Sequence, residues 1–241
     1  MKISVDLHIH SDLSPCGDSM MTPGNIVGMA VVNGLDAIAI TDHNCWLNVP
    51  VALNFAKEYG ITVIPGMELE TIEEIHVVCL FPDTEAIKAF QEIVDKSYSP
   101  GENISDIFGK QNIYDEDDEI LGEHIPMLLA PTGISIDDVF EMVDNLGGIA
   151  YPAHVNRDSY SVLASFGMMP YGYPHKVVEI SMDCDIDEFV GSYPEMRQYK
   201  FIRSSDAHYC EKISEEGTFI EVDENTPEKI IKSLKLGNII Y

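Results

Sequence analysis

Short apolar runs alternate with amphipathic stretches along most of this chain, and the alternation predicts strands and helices in turn. Ile3-Ser4-Val5-Asp6-Leu7-His8-Ile9-His10 has the β-branched, two-residue period of a strand. Thr22-Pro23 opens a helix to about Val32, stopped by Asn33-Gly34. Ala37-Ile38-Ala39-Ile40 is apolar throughout, the pattern of a strand buried on both faces. A helix over Val51–Tyr59 ends at Gly60, a strand follows over Ile61–Ile64, and Pro65-Gly66 reads as a turn. Ile75–Phe81 predicts another strand. Thr84–Ser97, with Ile87, Phe90, Ile93 and Val94 at helical spacing, predicts a helix.

The pattern loosens from Tyr98 to Pro131, where the acidic run Asp115–Glu119 reads as a solvated face. It resumes with a helix over Ser135–Leu146 and strands at Gly148–Tyr151, Val177–Ile180, Phe201–Arg203 and Gly217–Val222. Thr226-Pro227 opens a last helix to Leu236. Strands alternating with helices imply parallel βαβ units, and no repeat or low-complexity linker divides residues 1–241, so a single α/β domain is expected.

Composition narrows the function. Hydrophobic content of 45% with 23% charged residues is that of a soluble globular protein, and no apolar run reaches membrane-span length. The N-terminus lacks a signal-peptide core, and five cysteines without a CxxC pair read as reduced thiols; a cytoplasmic protein is expected. The net charge of −27 repels polyanions, and with 14 bases an extended nucleic-acid groove is not expected. A small phosphorylated substrate fits this field better.

Six of the eight histidines stand in short segments, most of them following apolar runs, with acids among them. The segments are Asp6-Leu7-His8-Ile9-His10, Thr41-Asp42-His43, Gly66-Met67-Glu68 followed by His76, Ala153-His154, and Asp206-Ala207-His208. Imidazole nitrogens and carboxylate oxygens bind Zn, Mn or Fe ions. In an extended segment His8 and His10 face the same way and can close on one ion. A doubly wound sheet binds at one crevice, whereas a barrel brings many strand ends to one rim, so ligands from at least five strand ends favour a barrel.

In order and spacing these segments resemble the motifs of the PHP (polymerase and histidinol phosphatase) family. The resemblance implies a distorted (β/α)7 TIM-like barrel whose two or three divalent metal ions hydrolyse phosphate esters. By similarity His8, His10, Glu68 and Asp206 hold one ion, and Glu68 bridges to a second completed by His76 and His154. A third uses His43, His208 and a ligand from the loop after the first strand. Here that loop reads Ser14-Pro15-Cys16-Gly17-Asp18 and offers either Cys16 or Asp18. Asp42 is a candidate for orienting ligands or moving a proton, and Arg157 for contacting phosphate.

His124 and His175 match no motif and read as structural or exposed, while Glu179 ends a strand and reads as a cap or salt bridge, with support of the metal ligands from behind as the alternative. The Met168-Met169-Pro170 and Tyr171-Gly172-Tyr173 cluster is a candidate pocket wall. Two other readings compete: an amidohydrolase-like C–N or C–O hydrolase, which calls for a metal-bridging lysine, and a metal-binding module without catalysis.

Overall fold

The computed structural model describes residues 1–215 and 217–240. The first half contains β1 (Lys2–Ile9), α1 (Pro23–Val32), β2 (Ala37–Ile40), α2 (Val49–Tyr59), β3 (Thr62–Glu70), β4 (His76–Leu80) and α3 (Thr84–Ser97). An insertion follows, with α4 (Ser105–Phe108) and the hairpin β5 (Asn112–Tyr114) and β6 (Ile120–Glu123). The remainder is α5 (Ile136–Asn145), β7 (Ile149–Pro152), α6 (Val162–Phe166), β8 (Val177–Ser181), α7 (Ile186–Ser192), β9 (Lys200–Ser204), β10 (Thr218–Glu221), α8 (Pro227–Leu236) and β11 (Ile239–Ile240).

Local chemistry explains most boundaries. The Thr22 hydroxyl accepts from the Asn25 amide with Pro23 at the first helical position, and Gly60 closes α2 at φ 76°. Ile38 and Ile40 of β2 are fully buried, so truncating either to alanine costs about 2–5 kcal/mol.

A curled seven-stranded sheet runs in the order β11-β10-β1-β2-β3-β4-β7. The α/β class expected from sequence holds, but the strands are not all parallel, as βαβ units alone would make them. β10 is antiparallel to β1, and β4 is antiparallel to both β3 and β7. The segment between β3 and β4 is too short for a crossover helix, so the chain turns straight back. Parallel β8 and β9 form a separate pair. Hydrogen bonds link this pair to the curled sheet, among them Val155 to the Glu179 carbonyl (2.8 Å), His10 to the Ala207 carbonyl (3.0 Å) and Arg203 to the Thr218 hydroxyl (2.7 Å). The result is a mixed α/β half-barrel.

Pro65-Gly66 lies inside β3 rather than in a turn. Residues 62–65 pair with β2 and residues 66–70 with β4, so the proline sits where the strand changes partner. A Cβ on Gly66 would stand 2.9 Å from the Ile40 carbonyl oxygen and 2.7 Å from Thr41 Cγ2, which explains the glycine.

In the irregular segment, the acidic run forms the β5–β6 turn. Asp115 accepts from the Asp117 and Glu119 amides, but Asp118 turns inward onto the Thr22 hydroxyl and the Gly24 amide. The run is therefore only partly a solvated face.

Candidate metal centre

β1, β3, β7 and β9 bring their C-terminal ends to one rim, and antiparallel β4 brings its start there. His8 and His10 come from β1, His43 from just beyond β2, Glu68 from β3, His76 from the first position of β4, His154 from beyond β7, and Asp206 with His208 from beyond β9. All but His208, which is partly exposed, are sealed from solvent or nearly so.

Glu68 is the centre. Its Oε1 lies 3.2 Å from His8 Nε2, 3.0 Å from His76 Nδ1 and 3.3 Å from His154 Nε2. Its Oε2 lies 3.2 Å from His10 Nε2 and 3.1 Å from His43 Nδ1. Asp206 Oδ1 reaches His10 Nε2 at 3.2 Å and His8 Nε2 at 3.5 Å. Despite these approaches, Glu68 Oε1 and His43 Nδ1 make no hydrogen bond. Buried polar atoms left in this way cost about 1–3 kcal/mol each. Imidazole nitrogens and carboxylate oxygens converging in this way are a donor set that fits a divalent ion. Three sets of donors each lie within 4.8 Å of one another: His8, His10 and Glu68; His43, Glu68 and His76; and His10, Cys16, His43 and His208.

The electrostatics follow the same layout. Burial works against the charged form of Glu68, but the surrounding imidazoles outweigh it and hold the carboxyl well below its usual range. Asp206 is held far down in the same way by His8 and His10. Burial likewise disfavours imidazolium at His10, yet bonding to Asp206 and Glu68 raises it to about 9, and His8 is raised well above its usual value by Glu179, Glu68 and Asp206. His43 goes well down and His208 down to about 4, from burial first and neighbouring imidazoles second.

Groups behind the cluster hold it in place. Glu179 Oε1 accepts from His8 Nδ1 (2.9 Å) and from the His154 amide (3.1 Å). Of the readings the sequence left open for Glu179, the contact with His8 is an ion pair that also supports the cluster from behind, and the acid inside the apolar run Val177–Ile180 was its signal. Asp42 does not enter the cluster. Its carboxylate accepts from the Ser11 amide (2.7 Å), Ser11 Oγ (2.6 Å) and Ser14 Oγ (2.7 Å), and Ser14 Oγ meets His10 Nδ1 at 2.9 Å. It acts on the imidazole through a hydroxyl, which fits the orienting role anticipated for it. Asp6 accepts from the Ser205 and Ser214 amides and fixes the loop that carries Asp206. His154 (φ 29°) and Asp206 (φ 49°) both occupy the left-handed region, a strained placement typical of functional sites.

Of the two loop candidates, Cys16 lies with His10, His43 and His208, whereas Asp18 points elsewhere and its carboxylate accepts from the Met20 amide. Arg157 stands at the rim with its guanidinium on Asp206 Oδ2. A cavity of about 280 Å³ opens over the cluster, walled by Leu129, Tyr160, Ser159 and Arg157. Tyr160 stacks on His76 with ring centroids 4.7 Å apart, a contact that the sequence did not signal. The expected wall of Pro170, Tyr171, Gly172 and Tyr173 lines a different groove, beside α5. An adjoining pocket of about 520 Å³ shares Cys16, Arg157, Asp206 and His208 and adds Ser205, Tyr209 and Lys212.

Comparison with known proteins places these residues in context. The chain is 33% identical over 113 residues to an uncharacterized protein of Methanocaldococcus jannaschii, covering 44% of this chain and 61% of that one. It is 37% identical over 78 residues to a 5'-3' exoribonuclease of Haemophilus influenzae, covering 31% and 27% respectively. The lesion-specific endonuclease Q of Pyrococcus furiosus shares its fold, with a TM-score of 0.65 at 20% identity over 98% of this chain and 56% of that one. The chain thus spans less than two thirds of each of these proteins. The family model for the PHP domain matches residues 6–165, about two thirds of the sequence and every cluster residue up to His154, and the chain belongs to that family.

Proposed function

We propose that residues 1–241 form one domain that hydrolyses phosphate esters of a small metabolite or nucleotide with the help of two or three bound divalent ions. The convergence of five imidazole nitrogens on the two oxygens of Glu68, at 3.0–3.3 Å, is the observation that carries this reading. His8, His10, Glu68 and Asp206 hold the first ion. Glu68, His76 and His154 hold the second, with His43 in reach of it and of a third position beside His208.

When bound, such ions lower the pKa of a water and neutralise the oxygens of a phosphoryl group. The chain's own side chains do the rest. Glu68 would help to hold the ions, and Glu179 and Ser14 fix the ring planes of His8 and His10. Arg157 reaches both pockets from Asp206 and provides the phosphate contact, while Tyr209, Ser205 and Lys212 accommodate the remainder of the ester. Small-molecule sites typically measure about 300–1,000 Å³, the range of these two spaces taken together.

A panel of phosphomonoesters assayed with Mn²⁺ tests the proposal. Turnover well above a His8→Ala control supports it, and turnover equal to that control refutes it.

The relatives favour a second reading in which the phosphate ester belongs to a nucleic acid, since an exoribonuclease and an endonuclease are among them. The charge of −27 argues against a long polyanion here. Single-stranded RNA and DNA are expected to be cut far more slowly than a small ester at moderate salt; equal rates would overturn the charge argument. For C–N hydrolysis the cavity offers no lysine among its described lining residues.

A further inference from the structure

We propose that Cys16 is a metal ligand, and that its sulfur makes the third position selective for thiophilic ions such as Zn²⁺, Co²⁺ or Fe²⁺ over Mn²⁺ and Mg²⁺. The proposal rests on the metal-dependent reading above and goes beyond it, because it concerns which ion the centre takes.

Cys16 Sγ and nitrogen atoms of His10, His43 and His208 all lie within 4.8 Å of one another. Because His10 Nε2 faces Glu68 and Asp206 and its Nδ1 meets Ser14, the third position draws on His43, His208 and the Cys16 thiolate, three protein donors with a fourth place left for solvent or substrate, as in catalytic zinc sites. His43 supplies an independent sign of a missing partner, since the residue is almost wholly buried and its Nδ1 has no hydrogen bond.

The loop holds the sulfur where it is. Ser14 is fixed by Asp42 and His10, the Gly17 amide bonds to the Ser14 carbonyl (2.8 Å), and the Asp18 amide bonds to the His208 carbonyl (2.9 Å). Cys16 is therefore tied on both sides, once to the cluster and once to the backbone of its neighbouring imidazole. Gly17 is required for this path, because a Cβ there would stand 2.5 Å from the Ser11 carbonyl oxygen. The same path turns the Asp18 carboxylate away to cap the Met20 amide, leaving the thiol to face the histidines. Soft thiolate donors favour Zn²⁺, Co²⁺ and Fe²⁺, whereas Mn²⁺ and Mg²⁺ prefer oxygen.

Titrating the metal-free protein with Co²⁺ tests this assignment without any substrate. Wild type is expected to develop a sulfur-to-cobalt charge-transfer band in the near ultraviolet. Cys16→Ser should lose that band and bind about one ion fewer per chain. Cys16→Asp should regain the ion without the band and shift the preference of the third position towards Mn²⁺. Asp18→Asn should keep the band. A wild type without the band, or a band that survives in Cys16→Ser, overturns the proposal. The two readings fail separately: a cobalt–sulfur band in a protein that hydrolyses no ester would refute the phosphoesterase and keep the ligand. Ester hydrolysis without the band would do the reverse.

Discussion

Glu68 and Asp42 are adjacent buried carboxylates with opposite surroundings. The Glu68 amide even bonds to the Asp42 carbonyl, at 3.1 Å, and neither residue is more than 1% exposed. Asp42 is satisfied by the protein itself, with one amide and two hydroxyls donating at 2.6–2.7 Å. Glu68 is surrounded by nitrogens at 3.0–3.3 Å, yet one of its oxygens makes no hydrogen bond. Burying a carboxylate costs several kcal/mol unless something compensates it. Around Asp42 the compensation is built from local backbone and serines. Around Glu68 it comes from imidazoles, side chains that also bind divalent ions, and they hold the carboxyl well below its usual range. That contrast separates a carboxylate held by local hydrogen-bond donors from one set among metal-binding side chains.

Replacing Glu68 gives the largest expected effect. Glu68→Ala removes a donor facing every imidazole of the inner cluster, so metal content and ester hydrolysis should fall together. The loss should exceed the ~100-fold typical of an outer-shell change. Metal analysis beside the activity assay checks this, and full metal content with lost activity would remove Glu68 from the ligand set. Asp42→Asn comes next. The amide keeps one acceptor oxygen but presents an NH₂ group to a hydroxyl or amide that also donates. We expect about 1–3 kcal/mol lower stability by chemical denaturation, and metal binding weakened by roughly 10–100-fold through Ser14 and His10. If stability falls while metal affinity stays unchanged, Asp42 is only a structural anchor.

Arg157→Ala should act on neither charge directly. The side chain is 43% exposed and already engaged with Asp206, so its removal should leave the ions in place. Catalytic efficiency should drop about 10-fold, the lower end for a charge-assisted contact. Loss of metal on this substitution would show instead that Arg157 serves Asp206 and not the phosphate.

The same contrast explains what could be read from sequence. The clustered histidines and acids were legible because metal chemistry restricts residue type and because most lie at or just beyond a short apolar strand, as with Ala37–Ile40 before His43. Their supports were not, because serines, glutamates and tyrosines are unremarkable until distant segments meet. Glu179 finds His8 across 171 residues, and Tyr160 reaches His76 only through a strained loop. Pro65-Gly66 misled for a related reason. A breaker pair normally marks a turn, but here β3 exchanges one neighbour for another at that point. The choice between Cys16 and Asp18 needed the path of the loop, which spacing alone does not give.

The smallest effect belongs to His175, a buried histidine outside the cluster, and it is a stability effect alone. Its Nε2 stands 3.6 Å from Asp144 Oδ2, while Lys235 Nζ holds the other oxygen of the same carboxylate at 2.6 Å. Burial lowers the imidazole below its usual value of 6.5; the attraction of Asp144 opposes this, and Lys235 adds to it. In the unfolded chain the group titrates near its ordinary value, so as the pH falls below 6.5 the unfolded state takes up a proton that the folded state resists. Stability from this residue is complete above that pH and declines below it until the folded value is reached. His175→Gln keeps a neutral polar side chain and removes the titration. Urea midpoints measured above and below pH 6.5 should therefore fall less on acidification for the variant than for wild type, with metal content unchanged in both. Equal slopes would mean that His175 takes up its proton as readily in the folded protein as in the unfolded chain, and a loss of bound metal would place it in contact with the centre after all.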